Sequence, residues 1–412
     1  MTTTSTPSTT PRDALEGVTV VEFGGYAAGP AIGKYLANFG ARVIHVESMA
    51  RPDGFRLQYP PYRDQTVGIN RSGCFAIFND SKQGVTLDIK HPAAVSLVHR
   101  LLERTDIVIE NMRPGVMARL GLGYPALDAR NPRLIMLSTS NLGQTGPRAT
   151  HPGFGSQLSS LSGFTELIGA ADGPPNAMYG PYIDMIAVAY GGAVVLAALD
   201  RQRRTGRGAF IDLAQYEAGL QFLAPALLES AVNGVSPKRD GNRDRIAVPH
   251  GAYVCRDGRW IVLSCWDDDE WARLASILGD PMPADAALAR AAGRRARESA
   301  LNDAISRWTA ARTADAALDA LRGARVHAGP VNTMRELFED PRLAARDTWQ
   351  SFDQQELGPV RYRMVSYQLG ETPGRVRSAA PYLGQHNEEV FCGWFGLSAE
   401  EYQAFAAEGV FS

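Results

Sequence analysis

The sequence of 412 residues lacks the short patterns that mark the commonest cofactor enzymes. No GxGxxG follows its first strand-like segment, where the glycines are Gly24, Gly25 and Gly29, and this disfavours NAD or FAD. There is no GxxxxGKS or GxxxxGKT phosphate loop, no GxSxG nucleophile elbow and no HExxH zinc motif. Four cysteines, Cys74, Cys255, Cys265 and Cys392, form no CxxC pair. They read as reduced, mostly buried thiols, not as a zinc or redox site. Net charge is also missing: Lys plus Arg is 42, Asp plus Glu is 44, and the formal balance is -2. That argues against a global positive field for nucleic acid, although a local basic patch stays open. No long hydrophobic run appears. The best, Met185 to Leu199, is broken by Tyr190, Gly191 and Gly192 and is shorter than the ~20 residues of a membrane span. It is expected to be a buried helix. The polar start lacks an apolar core, so residues 1–14 read as a disordered tail, and a cytoplasmic location follows.

What is present is an ordinary globular composition, 45% hydrophobic and 21% charged, long enough for two to three domains. Gly17 to Gly24 is a β-branched run ended by glycines, hence a strand and a turn. Helical spacing follows over Ala27 to Phe39, then a second strand from Ala41 to Glu47. A helix over His91 to Arg104 and strands at Asp106 to Glu110 and Leu134 to Ser138 continue the alternation. This is the grammar of a parallel sheet with helices on its faces. Ile183 to Asp200 and Tyr216 to Asn233 read as helices, with a strand over Ala209 to Leu213 between them. Ala252 to Cys265, centred on Asp257-Gly258, reads as a hairpin. Asp267 to Gly279 and Glu298 to Arg322 read as helices, and short strands are expected near Pro359 to Tyr367. The middle stretch looks like a separate α+β domain.

Asp184 stands in Gly180-Pro-Tyr-Ile-Asp184, just before the apolar helix pattern. A carboxylate there is either an N-cap or a nucleophile at a helix mouth. Arg113, in Glu110-Asn-Met-Arg-Pro-Gly115, follows a strand and either meets solvent or holds a phosphate. Lys82, in Asn79-Asp-Ser-Lys82, is a similar case, and Arg201 to Arg207 suits a solvated helix end. His45 lies inside a strand and is expected to be structural; seven scattered histidines offer no metal pair.

Together these segments resemble the class III CoA-transferase family, which also contains 2-methylacyl-CoA racemases. The resemblance rests on Leu15-Glu-Gly-Val-Thr-Val-Val-Glu-Phe, Gly29-Pro30, Val43-Ile-His-Val-Glu47, Asn79-Asp-Ser-Lys82 and Asp106 to Gly115. Gly143-Gln-Thr-Gly-Pro147, Arg203 to Gly208, Gly329-Pro-Val-Asn332 and Leu383-Gly-Gln-His386 complete it in order. It implies an α/β fold: a Rossmann-like large domain built from both chain ends (15–220 and 330–412), an inserted smaller α+β domain (235–325), and an interlocked dimer. It implies no metal and no permanently bound cofactor, with coenzyme A as substrate and product. CoA contacts would come from Tyr26, Ala27, Arg51, Asn79, Lys82, Asn111, Met112 and Arg113. After Glu47 the family often has Arg-Pro, whereas here Ser48-Met49 follows and Arg51-Pro52 comes later, so Arg51 is the candidate replacement.

Asp184 aligns with the family's catalytic aspartate, which would pass CoA through aspartyl-anhydride and aspartyl-thioester intermediates. Asn141, Gly143 and Gln144 are the oxyanion candidates, and Arg243 or Arg245 could hold a second carboxylate of a diacid. The alternatives are a racemase using Asp184 as acid and base, and a CoA-binding protein without catalysis. Where the racemases carry a histidine in Gly-His-Asp, this chain has Gly153-Phe154-Gly155, and phenylalanine cannot shuttle a proton. The region Asp240 to Gly251 lacks the glycine run of oxalate-type members. It looks more like members acting on larger acids, such as benzylsuccinate transferases using succinyl-CoA. The expected partners are acyl-CoA, small carboxylic acids and a second copy or homologous subunit, with neither nucleic acid nor membrane.

Overall fold

The computed structural model describes residues 13–279 and 285–412. Residues 1–12 of the expected tail lie outside the described residues. Asp13, read as part of that tail, is instead anchored by Arg377 at 2.8 Å. The chain divides into two units: Met1–Phe164 with Ala177–Val235 and Arg342–Ser412, and Thr165–Asn176 with Ser236–Pro341.

The first unit is built on six parallel strands. They are β1 (Thr19–Phe23), β2 (Arg42–Glu47), β3 (Gln83–Thr86), β4 (Ile107–Glu110), β5 (Ile135–Ser140) and β6 (Ala209–Ala214), in the order β3-β2-β1-β4-β5-β6. Their side chains point alternately to two faces, and both are covered. Val20, Val43, Ile107 and Ile135 pack with Ile32 and Leu36 of helix α1 (Ala28–Asn38). On the other face Val21, Ile44, Val108 and Met136 meet Leu97 and Leu101 of helix α2 (Pro92–Leu102). Burial on both faces explains why β1, β2, β4 and β5 read as largely apolar runs. The strand order reverses beside β1, with β2 on one side and β4 on the other. At such a switch point the loops leaving the two strands diverge and open a crevice at their C-terminal ends.

β3 is absent from the sequence reading; four residues after a charged loop carry too little periodicity. The C-terminal segment holds its outer edge. His386 Nδ1 accepts the Gly84 N–H, Asn387 accepts the Thr86 N–H, and Val390 and Phe391 enter the core. The expected helix over Tyr216 to Asn233 is two, Gln215–Phe222 and Ala224–Asn233, parted where Pro225 begins the second. The last strands form the antiparallel pair Trp349–Gln354 and Gly358–Arg363, which begins earlier than expected.

The second unit has an antiparallel sheet of β7 (His250–Val254), β8 (Trp260–Ser264) and β9 (His327–Pro330). Gly258, at φ 78°, makes the β7–β8 turn. Trp271, Leu274, Leu301, Ile305, Trp308 and Leu318 form its core with Ile261 and Leu263. The single helix expected over Glu298 to Arg322 is split into Glu298–Ala310 and Ala314–Gly323. Thr313 is extended and caps the second helix by accepting the Ala316 N–H.

Candidate active site

The switch point is flanked by the turn after β1 and the loop after β4. Gly24 to Ala27 leaves β1, and Asn111 leaves β4. The Asn111 amide bridges them: its Oδ1 accepts the Gly25 N–H at 3.1 Å and its Nδ2 donates to the Gly25 carbonyl at 2.7 Å. Asn111 is therefore committed to holding the turn. Tyr26 follows with φ 63°, the left-handed region. Its N–H donates to Asp53 Oδ1, its hydroxyl to Gln58, and its ring stands edge-on to Phe55, Tyr59 and Phe154. Ala27 is buried at the start of α1. Met112 donates its N–H to Glu110, whose carboxyl is pushed up by burial. Arg113 and Arg51 are exposed, and Arg51 is close enough to act electrostatically on the Tyr26 phenol.

Two of the expected CoA contacts have buried side chains. Lys82 is 2% exposed, and its ammonium donates to Glu22, the Pro30 carbonyl and Asn79 at 2.5, 2.7 and 2.8 Å. All three of its protons have partners inside the core, so none is left for a phosphate. Asn79 is fully buried, with its Oδ1 on Lys82 and its Nδ2 on the Phe75 carbonyl. The side chains of Asn79 and Lys82 brace the sheet and helix α1 from within. Burial pulls the Lys82 ammonium below its ordinary pKa, while Glu22 pushes it back up. Glu22 also meets His45 Nδ1 at 2.7 Å, which makes His45 part of the same buried network. Glu47 has an arginine after all. Arg56 reaches it from nine residues on, pairs in a fork with both carboxylate oxygens, and lies over the Phe75 ring. This guanidinium is fully buried, so it too stays with the protein.

Asp184 sits in helix α4 (Tyr182–Thr205), which follows the shorter helix α3 (Gly155–Leu161). The N-cap of α4 is Pro181, which makes Asp184 the third helical residue. The capping alternative falls, because the cap position is taken and the backbone N–H that acts on this carboxylate is its own. Its Oδ2 is buried with no hydrogen-bond partner, and burial pushes the carboxyl up to about 6. The close neighbour is Gly155: a Cβ there would collide with Asp184 Oδ2. Gly155 is thus glycine because the carboxylate lies on its backbone.

Asn141 Nδ2 donates one of its two N–H groups to the Gly153 carbonyl at 2.8 Å and so shapes this loop. Gly143 is left-handed at φ 84°. The Gln144 N–H is held by both oxygens of Asp212 at 3.0 Å, whereas its side-chain Nε2 is buried and unpartnered. Of the three oxyanion candidates, Gln144 keeps an unpartnered side-chain amide, and Gly143 brings its backbone N–H in the same loop. In the second unit Arg243 pairs with Asp240 and Glu298, and Arg245 is exposed. Among the described residues no group of three or more His, Cys, Asp or Glu could hold a metal.

Sequence reasoning missed Asp53, Arg56 and Asp212. Asp53-Gly54 carries a legible signal, a capping residue ahead of a short helix. Asp212 carries none, because only the β5–β6 register brings it beside the Gln144 loop.

The sequence pattern of CoA-transferase family III matches residues 15–387. The chain belongs to that family. It is a class III CoA-transferase, of the EC 2.8.3 type, and CoA thioesters are its substrates. A succinyl-CoA–D-citramalate CoA-transferase from Chloroflexus aurantiacus is 33% identical over 401 residues, 97% of this chain and 98% of the relative. The alpha subunit of a succinyl-CoA–L-malate CoA-transferase from Chloroflexus aurantiacus is 33% identical over 402 residues, 96% of this chain and 92% of its own. The crystal structure of a CAIB/BAIF family protein from Brucella suis superposes with a TM-score of 0.85 at 30% identity. It covers 93% of this chain and 99% of that one.

Proposed function

We propose that this class III CoA-transferase moves CoA from succinyl-CoA to a small organic acid through covalent intermediates on Asp184. The observation that carries the reading is the Asp184 carboxylate: lodged against Gly155, with Oδ2 unpartnered and a pKa of about 6. A poorly solvated carboxylate is a better nucleophile than one wrapped in donors, and at neutral pH it is still ionised. It attacks the donor thioester carbonyl, and CoA leaves as thiolate, giving a mixed anhydride. The thiolate attacks the aspartyl carbonyl and expels the donor acid, giving an aspartyl thioester. The acceptor carboxylate attacks that carbonyl and releases the thiolate. The thiolate then attacks the acceptor's acyl carbon, and the Asp184 carboxylate leaves. No proton or electron is gained or lost overall. Gln144 Nε2 is the donor we assign to a developing oxyanion.

CoA would run along the crevice, with Tyr26 and Ala27 near the adenine and Arg113 or Arg51 near phosphates. Succinyl-CoA is preferred as donor because both named relatives carry it in their names. The acceptor we favour is a larger organic acid. Phe154, beside Gly155, gives no acid or base opposite Asp184 and so supports transfer over racemisation. We further propose residues 15–220 and 330–412 as the CoA-binding domain, 235–325 as the small one, and an interlocked dimer, self-paired or with a homologous subunit. Four free thiols suit the cytoplasm.

Asp184→Asn and Asp184→Ala should each lower transfer by several powers of ten while CoA binding persists. Wild type incubated with succinyl-CoA should yield an Asp184 hydroxamate on hydroxylamine treatment. An active Asp184→Asn enzyme, free of wild type and of deamidation, would end this mechanism.

A further inference from the structure

Asp53 is a buried carboxylate with an unusual allocation of its two oxygens. Oδ1 accepts two backbone N–H groups, from Tyr26 at 2.9 Å and from Phe55 at 2.8 Å. Oδ2 is buried and has no hydrogen-bond partner; it faces His45 Nε2 at 3.9 Å, itself unpartnered. Burying a carboxylate this poorly satisfied costs stability, and an apolar residue would be cheaper in a core. What the cost secures is visible at Tyr26. A tyrosine at φ 63° occupies a region that non-glycine residues avoid, and such a residue persists only where its surroundings over-determine it. The surroundings come from one short segment. Asp53 takes the N–H, and Gly54 lies so close that any Cβ there would strike the Tyr26 ring. Phe55 and Tyr59 flank the ring, and Gln58 takes the hydroxyl. Gly25 completes the seat, for a Cβ on it would stand 2.7 Å from Asp53 Cγ. The free side of the Tyr26 ring meets Phe154, one residue before the Gly155 backbone that carries Asp184.

We infer that Asp53 is a positioning residue for acyl-CoA recognition: through the Tyr26 N–H it fixes the left-handed turn that presents Tyr26 to the ligand. The inference rests on Tyr26 touching CoA, as proposed above. Without the carboxylate, Tyr26 relaxes to negative φ, its ring leaves Phe154, and the wall of the crevice opens. The chemistry at Asp184 is untouched in kind, so binding suffers more than turnover.

The test uses the full-length protein, CoA titrated by calorimetry, and steady-state transfer. Asp53→Ala should weaken CoA binding and raise KM for acyl-CoA by about tenfold, with kcat changed less than about threefold. Asp53→Asn, which keeps an acceptor oxygen on the Tyr26 N–H, should stay within about threefold of wild type in both. Gly25→Ala, which displaces the Asp53 carboxylate without removing it, should reproduce the loss, so the result does not hang on Asp53→Ala folding. Glycine has no penalty at positive φ, so in a Tyr26→Gly background Asp53→Ala should add less than about twofold. Undiminished loss in that background, or folded Asp53→Ala or Gly25→Ala protein that binds CoA as wild type does, overturns the inference. Tyr26→Gly with wild-type CoA affinity overturns it as well, and locates the failure in the reading of Tyr26. Both outcomes are separate from Asp184, because CoA binding needs no turnover.

Discussion

A carboxyl whose pKa rises from 3.8 to about 6 on burial leaves two marks, one on rate and one on stability. In the proposed mechanism the nucleophile is the carboxylate, so turnover should climb with pH, reach half its plateau near pH 6 and stay level above. A pH–rate profile flat down to pH 4.5 would contradict this. The stability mark has the opposite sense. The folded state binds the Asp184 proton more tightly than the unfolded state, so it gains below pH 4 and loses that gain as pH rises through 6. A shift of roughly two units is worth about 3 kcal/mol at most. Asp184→Asn has no charge to bury. It should therefore be more stable than wild type at pH 7.5 and no more stable at pH 4, as read by denaturant melts. A helix cap predicts otherwise, since Asn replaces Asp as a cap with little change. Lys82 makes the complementary case. Its ammonium neutralises Glu22 in the core, at 2.5 Å, and touches nothing outside it. Lys82→Met leaves Glu22 with His45 alone and should cost about 3–5 kcal/mol of stability. The KM for acyl-CoA of the folded variant should not move, whereas loss of a phosphate-binding lysine would raise it.

At the scale of elements, the site is a meeting of strand ends and helix starts, and this decides what a sequence can disclose. The strands β1, β2, β4 and β5 are legible because burial on both faces makes them apolar throughout. The motif Asn79 to Lys82 is visible as a motif, but its direction is not: a lysine in a loop after a helix can face the crevice or the core. Here three acceptors turn it inward. Arg56 is hidden for a related reason, because its partner Glu47 lies nine residues back and only the folded turn joins them. Asp184 is reached through resemblance, and the sequence leaves its helical position open between cap and interior. Pro181, three residues earlier, takes the cap. Gly155 is where the elements press hardest. Helix α3 starts against the first turn of α4, and the Asp184 carboxylate fills the space a side chain would need. Gly155→Ala should therefore push Asp184 off its rotamer. Transfer should fall by about a hundredfold or more while CoA binding holds within about twofold, because reacting atoms tolerate little misplacement. Calorimetry alongside steady-state rates separates the two, and a Gly155→Ala enzyme with normal kcat would show that the close approach is idle.

At the scale of the molecule, the flank of α4 poses the remaining physical problem. This helix is long and apolar enough to cross a membrane, yet Ile183, Ile186, Ala187 and Val195 are buried in the first unit. Its other side leaves Tyr190 and Val194 in the open, with Phe222 against Tyr190. The following helix, Ala224–Asn233, has no buried residue at all, although Leu227, Leu228 and Val232 line it. A helix whose apolar residues lie this exposed is stabilised by a cover. The interlocked dimer proposed above supplies one. Two chains threaded through each other bury far more than the ~1,600 Å² of a standard interface, so separating them means unfolding them. For such a dimer stability would depend on protomer concentration, with no folded monomer populated. Sedimentation should show a single dimeric species under every dilution that retains activity, and thermal unfolding should shift upward as protein concentration rises. Leu228→Glu with Val232→Glu should give unfolded or aggregated chains, not active monomers, because each charge would enter an interface that forms as the chains fold. A sedimenting monomer with wild-type turnover would remove the interlocked dimer, and the exposed flank of α4 would then need another partner.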